Sequence, residues 1–159
     1  MRRLLMILAL LAAAPAAALA AGSGSSWDSG STPENSNFIA GRKAAEAGDY
    51  RKAIGELEKV VATSPRNADA HNLLGFSHRK LGNSDKAMQH YQTALSADPD
   101  HKGANEYLGE LYLQMGEVAK AEERLARLDR ICLLGCAEYT ELKKAIAAYK
   151  GRQGASRSN

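Results

Sequence analysis

The sequence predicts an all-α fold of stacked helix hairpins, and three observations carry that prediction. Shifting the 159-residue chain against itself by 34 residues brings Gly41, Gly75 and Gly109 into register, then Gly48, Gly82 and Gly116, then Ala53, Ala87 and Ala121, and finally Pro65 with Pro99. A fixed period of this length marks a repeat architecture, in which each unit buries its apolar face only by stacking on a neighbour. Within the period, apolar residues recur at helical spacing on either side of a glycine turn. Aromatic residues make up only 6% of the chain and β-branched residues are few, a composition that leans toward helix rather than sheet. With 45% hydrophobic and 25% charged residues the balance is that of a soluble globular chain, long enough for one modest domain.

In chain order, residues 1–20, MRRLLMILALLAAAPAAALA, read as an export signal. Arg2 and Arg3 form its positive start, Leu4 to Leu11 its apolar run, and Ala18, Leu19 and Ala20 its small-residue cleavage site. The run is too short to span a bilayer and Pro15 interrupts its continuation, so no membrane span is expected after cleavage. No cysteine follows it, which argues against lipid attachment there. Twenty-one basic residues less Arg2 and Arg3 leave 19 against 18 acidic ones. That near-neutral balance argues against nucleic acid as a partner, whose binding rests on many lysine and arginine contacts to phosphate. Residues 21–36 follow as a flexible linker rich in glycine and serine. Trp27 stands out in it, either as an incidental residue or as a group that docks on the repeat groove of its own or another chain.

Three periods come next, over residues 34–67, 68–101 and 102–135. In the second, Leu73, Leu74 and Leu81 mark one helix, Gly82 and Asn83 supply a turn, and Ala87, Met88, Tyr91, Ala94 and Leu95 mark a second helix that ends at Asp98-Pro99-Asp100. Gly75 falls mid-helix, where glycine costs about 1 kcal/mol relative to alanine unless its missing side chain is needed. The expected reason is that Gly75 and Ala87 mark the closest approach of the two helix backbones, as do Gly41 with Ala53 and Gly109 with Ala121. Over residues 136–150, Tyr139, Leu142, Ala145, Ile146 and Tyr149 share one helix face and suit a final helix that covers the last hairpin. Residues 151–159 read as a disordered polar tail.

The period resembles the tetratricopeptide repeat: Leu74-Gly75, Ala87, Tyr91, Ala94 and Pro99 match its large residue, Leu-Gly, alanine, aromatic and closing proline over 34 residues. The second and third units match strongly. The first has Ala40 and Ala44 in place of the bulky pair, and Asn37, His71 and Asn105 stand where the family has tryptophan. The resemblance implies a right-handed superhelical solenoid of three hairpins and a capping helix. It also implies a concave groove lined by the first helix of each pair, which receives a peptide or partner protein. The groove positions transfer to Asn35, Phe38, Arg42, Ala45 and Glu46, to Asp69, Asn72, Phe76, Arg79 and Lys80, and to Gly103, Glu106, Glu110, Leu113 and Gln114. Phe76 is the expected anchor, being a large apolar group on a groove position. The charge changes sign along this set, from Arg42, Arg79 and Lys80 to Glu106 and Glu110, which suits a partner of mixed charge. The clamp that some family members use for a terminal carboxylate is not matched: Phe38 and Arg42 stand at its first two positions, and Gly103 and Tyr107 at its last two.

Cys132 and Cys136 are the only thiols, four apart. In an exported chain they read as a disulfide, since four residues along a helix bring Cα atoms to about 6 Å. The alternative is a thiol-disulfide or metal-handling factor built on the same pair. Against that alternative, the spacing is not Cys-x-x-Cys and a structural zinc site wants four ligands. The ending from Cys132 to Ile146 is similar to that of small exported bacterial repeat proteins, which implies the periplasm or the outside of the cell. His71 and His78, seven apart, are too far along a helix for one ion and read as partly buried packing or hydrogen-bonding groups; His90 is expected to face solvent and His101 to lie in a turn. No catalytic constellation, cofactor motif or phosphate loop is found. The expected function is therefore a non-enzymatic binding scaffold, with self-association through the groove or the capping helix as a further expectation.

Overall fold

The computed structural model describes residues 35–157, apart from the side chains of 155–157. The export signal and most of the linker, with Trp27, lie outside the described residues. Seven helices follow in order: α1 (Ser36–Glu46), α2 (Tyr50–Thr63), α3 (Ala68–Lys80), α4 (Ser84–Ala97), α5 (Lys102–Gln114), α6 (Val118–Ile131) and α7 (Ala137–Arg157). No strand occurs among the described residues. Hairpins form by α1 with α2, α3 with α4 and α5 with α6; each stacks on the next through α2 with α3 and α4 with α5, and α7 packs on both α5 and α6. This is the all-α solenoid of hairpins that the 34-residue period predicts.

The three hairpin turns are built alike. Gly48, Gly82 and Gly116 have φ of 78°, 80° and 79°, the left-handed region that L side chains avoid. After each glycine the next amide donates five residues back, Asp49 to Ala44, Asn83 to His78 and Glu117 to Tyr112, at 2.9, 2.9 and 2.8 Å. That bond closes the carbonyl end of the preceding helix, and the glycine lets the chain reverse. At the opposite end, the Asn67 and His101 side chains accept from the amides of Ala70 and Ala104, capping α3 and α5.

The mid-helix glycines serve a purpose beyond the one their pairing with alanine suggests. A Cβ on Gly41 would meet Leu57, and one on Gly75 would meet the Tyr91 ring, each at 2.6 Å. Each glycine is thus a notch for a large side chain of the facing helix, and at Gly41 the Ala53 carbonyl oxygen also comes within 3.4 Å of that Cβ, so the backbones approach there as the Gly41–Ala53 pairing suggests. Ala53, Ala87 and Ala121 are fully buried, among Leu57, Leu74, Tyr91, Leu111 and Leu128 in the core. In the third hairpin the notch at Gly109 is filled by Leu142 of α7.

The residues standing in the family's tryptophan position have a structural role of their own. His71 Nε2 bonds the Pro65 carbonyl at 3.0 Å and its Nδ1 meets His90 Nδ1 at 3.1 Å. One period later, Asn105 Nδ2 donates to the Pro99 carbonyl at 3.2 Å and its Oδ1 accepts from Arg124. The same position thus ties the start of a hairpin to the proline turn before it and to the second helix of its own pair. His90 does not face solvent: it is half-buried against His71, and its ring stacks on His78 at 5.5 Å with 3° between planes. The second-helix position that makes His90 look exposed by periodicity is the one that reaches back to the tryptophan position.

α7 runs to Arg157, past residue 150, so residues 151–157 are helical rather than a disordered tail. Gly151 and Gly154 meet nothing within 4 Å and impose no turn, while Gln153 donates to the Tyr149 hydroxyl one turn back at 3.0 Å.

Candidate functional site

The first helices of the pairs, α1, α3 and α5, stand side by side, and α7 leans over α5. Two hollows open along this surface. The first, about 270 Å³, is lined by Phe38, Arg42, Asp69, Asn72 and Leu73. Asn72 is buried, and its Oδ1 has no hydrogen-bond partner. Its amide nitrogen lies where a Cβ on Gly103 would come within 2.9 Å, so the glycine makes room for it. Phe38 is partly buried against the core, with the Arg42 guanidinium 5.7 Å from its ring centre.

The second hollow, about 550 Å³, lies between α3 and α7. Arg79 and Lys80 form one wall, Glu110, Leu113 and Gln114 the floor, and Ala145, Ala148, Tyr149 and Arg152 the other wall. Phe76 is half-buried near the Arg79–Lys80 wall, with Tyr107 5.1 Å away and Tyr50 edge-on at 5.9 Å. The cations Arg79 and Lys80 stand over its ring at 5.8 and 5.2 Å.

Several residues placed on the groove by register do other work. Asn35 caps α1 through its side chain, Ala45 is buried in the core, and Leu113 is covered by α7. Arg79 is only 6% exposed and pairs with Glu110 at 2.7 Å, joining the second hairpin to the third. The sign change read along the groove is thus partly internal: its central opposite charges neutralise each other. Glu106 is half-buried, and its carboxyl is pushed up to about 7, first by burial and then by Glu110 and Glu138, with Glu141 adding and Arg79 opposing. Burial also raises the Tyr107 phenol, followed by the charges of Glu106 and Glu110.

Sequence reasoning missed the α7 wall and Tyr107. The stripe through Tyr139, Leu142, Ala145, Ile146 and Tyr149 signals a covered face, and Arg152, three residues after Tyr149, extends it beyond the expected helix end. Nothing in the stripe says that α7 rests on α5, where it doubles as a groove wall.

Cys132 and Cys136 lie at disulfide distance, with Cα atoms 5.6 Å apart at the bend between α6 and α7. Cys132 is packed among Leu128, Leu142 and Ile146. Among the described residues, no group of three or more His, Cys, Asp or Glu side chains could hold a metal ion, and no helix is long and apolar enough to cross a membrane.

Comparison with known proteins agrees with this geometry. The chain is 31% identical over 99 residues to a probable biofilm formation methyltransferase, WspC, of Pseudomonas putida, a match that covers 60% of this chain and 23% of that protein. It is 27% identical over 106 residues to tetratricopeptide repeat protein 1 of Schizosaccharomyces pombe, covering 60% of this chain and 10% of that one. The chain thus spans less than a quarter of the length of these relatives. Among solved structures, PcrH in complex with the chaperone binding region of PopD superposes with a TM-score of 0.63 at 19% identity, covering 74% of this chain and 90% of PcrH. MamA superposes at 0.58 and 20% identity, covering 77% and 80%. Two models described as tetratricopeptide repeat match residues 40–101 and 78–131, together running from residue 40 to residue 131 of the 159. With three hairpins in the repeat's order among its described residues and these matches over more than half its length, the chain belongs to the tetratricopeptide repeat family.

Proposed function

We propose that the chain is a non-catalytic scaffold of the cell envelope that receives a segment of a partner protein along the face formed by α1, α3, α5 and α7. The observation that carries this reading is Asn72: a buried amide oxygen without a partner, in a hollow beside Phe38. A buried unpaired acceptor costs about 1–3 kcal/mol, and a backbone N–H of a bound segment would recover that cost. Phe76, half-buried one helical turn along α3 from Asn72, offers an apolar anchor although it lines neither hollow. PcrH, whose fold this chain shares, is seen with a region of PopD bound, which supports a binding role for such a scaffold. The envelope location rests on the export signal read from residues 1–20 and on the paired cysteines, which suit an oxidising compartment.

The test is capture from an envelope extract on the immobilised protein and on the double variant Asn72→Ala, Phe76→Ala. Loss of a captured protein by about tenfold or more, with helicity unchanged by circular dichroism, is the expected result. Equal capture by both proteins would place the binding surface elsewhere. Arg79 is a poor choice for this variant because it is buried and paired with Glu110.

A further inference from the structure

We propose that the cleft between α3 and α7 selects an aspartate or glutamate side chain from the bound segment, a preference that rests on the groove reading above. Three cations and one carboxylate line this cleft: Arg79, Lys80, Arg152 and Glu110. Arg79 and Glu110 are paired at 2.7 Å and cancel. Lys80 and Arg152 remain, and neither makes an ion pair among the described residues. Each stands over an aromatic ring, Lys80 Nζ 5.2 Å from the centre of Phe76 and the Arg152 guanidinium 6.0 Å from the centre of Tyr149. A ring face steadies a cation without using its N–H donors, so both groups keep hydrogen bonds to give.

The neighbouring lysines are satisfied in a different way. Lys120 pairs with Glu117, Lys144 with Glu141, and Lys150 with Glu122. Of the three cations that line the cleft, the two without an ion pair stand on its opposite walls, Lys80 on α3 and Arg152 on α7. Glu106, Glu138 and Glu141, which lie further back along α5 and α7, do not line it. An incoming carboxylate would meet donors from both walls, while Ala145 and Ala148 receive its methylenes and an apolar neighbour. Tyr149 also borders a third hollow of about 440 Å³ with Gly116, Val118 and Gln153, so there is room for the segment to continue past the cleft. For that reason the geometry points to a side chain within a segment and not to a chain end.

The probes are fluorescein-labelled, N-acetylated, C-amidated decapeptides of alanine and leucine carrying two central Asp, Asn or Lys residues. Binding to the full chain is read by fluorescence anisotropy. The Asp peptide is expected to bind roughly tenfold more tightly than the Asn peptide at low salt, and the gap should shrink as salt is raised. Lys80→Glu and Arg152→Glu, both at exposed positions, should each remove most of that gap, and together they should favour the Lys peptide. Asp and Asn peptides that bind within about twofold of each other would overturn the proposal. So would a gap that survives both substitutions, the absence of binding by any of the peptides, or a gain seen only when the Asn peptide is made with a free C-terminal acid. If all peptides bind equally but Phe76→Ala weakens them, the acid preference falls and the groove reading stands. If the peptides bind and Asn72→Ala with Phe76→Ala changes nothing, the groove reading falls as well.

Discussion

A Cβ at position 75 would stand 2.6 Å from two carbons of the Tyr91 ring, and that ring is completely buried. Non-bonded carbons essentially never pack so closely, and the ring, enclosed by the core, has nowhere to swing. Gly75→Ala is therefore expected to destabilise the protein by about 1–3 kcal/mol through overpacking, outweighing the gain of about 1 kcal/mol that alanine brings to a helix. Gly55 provides the internal control: it lies within α2, is exposed, and a Cβ there would meet nothing within 4 Å. Gly55→Ala should stabilise by about 0.5–1 kcal/mol. Urea unfolding of both variants separates the two effects, and a Gly75→Ala protein as stable as its parent would show that the notch is not tightly filled. The period makes the need for a small residue visible at positions 41, 75 and 109. It does not show what fills each notch, because the filler is Leu57 in one hairpin, Tyr91 in the next and Leu142 from another element in the third.

At the level of elements, α7 is where the sequence pattern and the structure part company. Leu142 lies 34 residues after Leu108, so α7 repeats the first helix of a hairpin, but Lys143 stands where Gly41, Gly75 and Gly109 do. Without a notch of its own or a second helix among the described residues, α7 rests on α5 through Leu142 and Ile146, both buried, and forms a wall of the groove. The apolar stripe made the helix and its covered face legible; the tilt depends on a long-range contact with Gly109 that no local pattern encodes. The bend before α7 brings Cys132 and Cys136 to disulfide distance, with Gly135 at φ 84°. Replacing both cysteines by serine should cost about 2 kcal/mol by the loop-entropy relation for so short a ring. Because the constraint is local, amide exchange in residues 137–150 should speed up more than in α3 and α4. Uniform acceleration across all helices would show that the pair acts on the whole stack and not on the seating of α7.

At the scale of the whole molecule, the second and third hairpins are joined by polar contacts as well as by apolar burial. Asp69 on α3 meets His101 at the start of α5 at 3.0 Å, Arg79 meets Glu110, and Arg127 on α6 meets Asp100. In a linear stack, each such junction contributes to holding the array together. Two half-buried titrating groups, His90 between α3 and α4 and Glu106 beside the Arg79–Glu110 pair, pull the stability in opposite directions with pH. His90 is pushed down to about 4, first by burial and then by His71, His78 and Lys86. Between its unfolded value near 6.5 and its folded value, the unfolded chain binds more protons, so stability falls as the solution is acidified through that window. Glu106 is pushed up to about 7 from 4.5, so here the folded chain binds more protons, and stability falls as pH rises through that window. Solvent access reduces each effect to about 1–2 kcal/mol. His90→Gln should flatten the acid side of the stability profile, and Glu106→Gln should raise stability at pH 8 more than at pH 4. Thermal unfolding of both variants and the parent between pH 4 and pH 8 measures this directly. An unchanged acid limb in the first variant, or an equal shift at both pH values in the second, would mean that these groups are better solvated than their packing indicates.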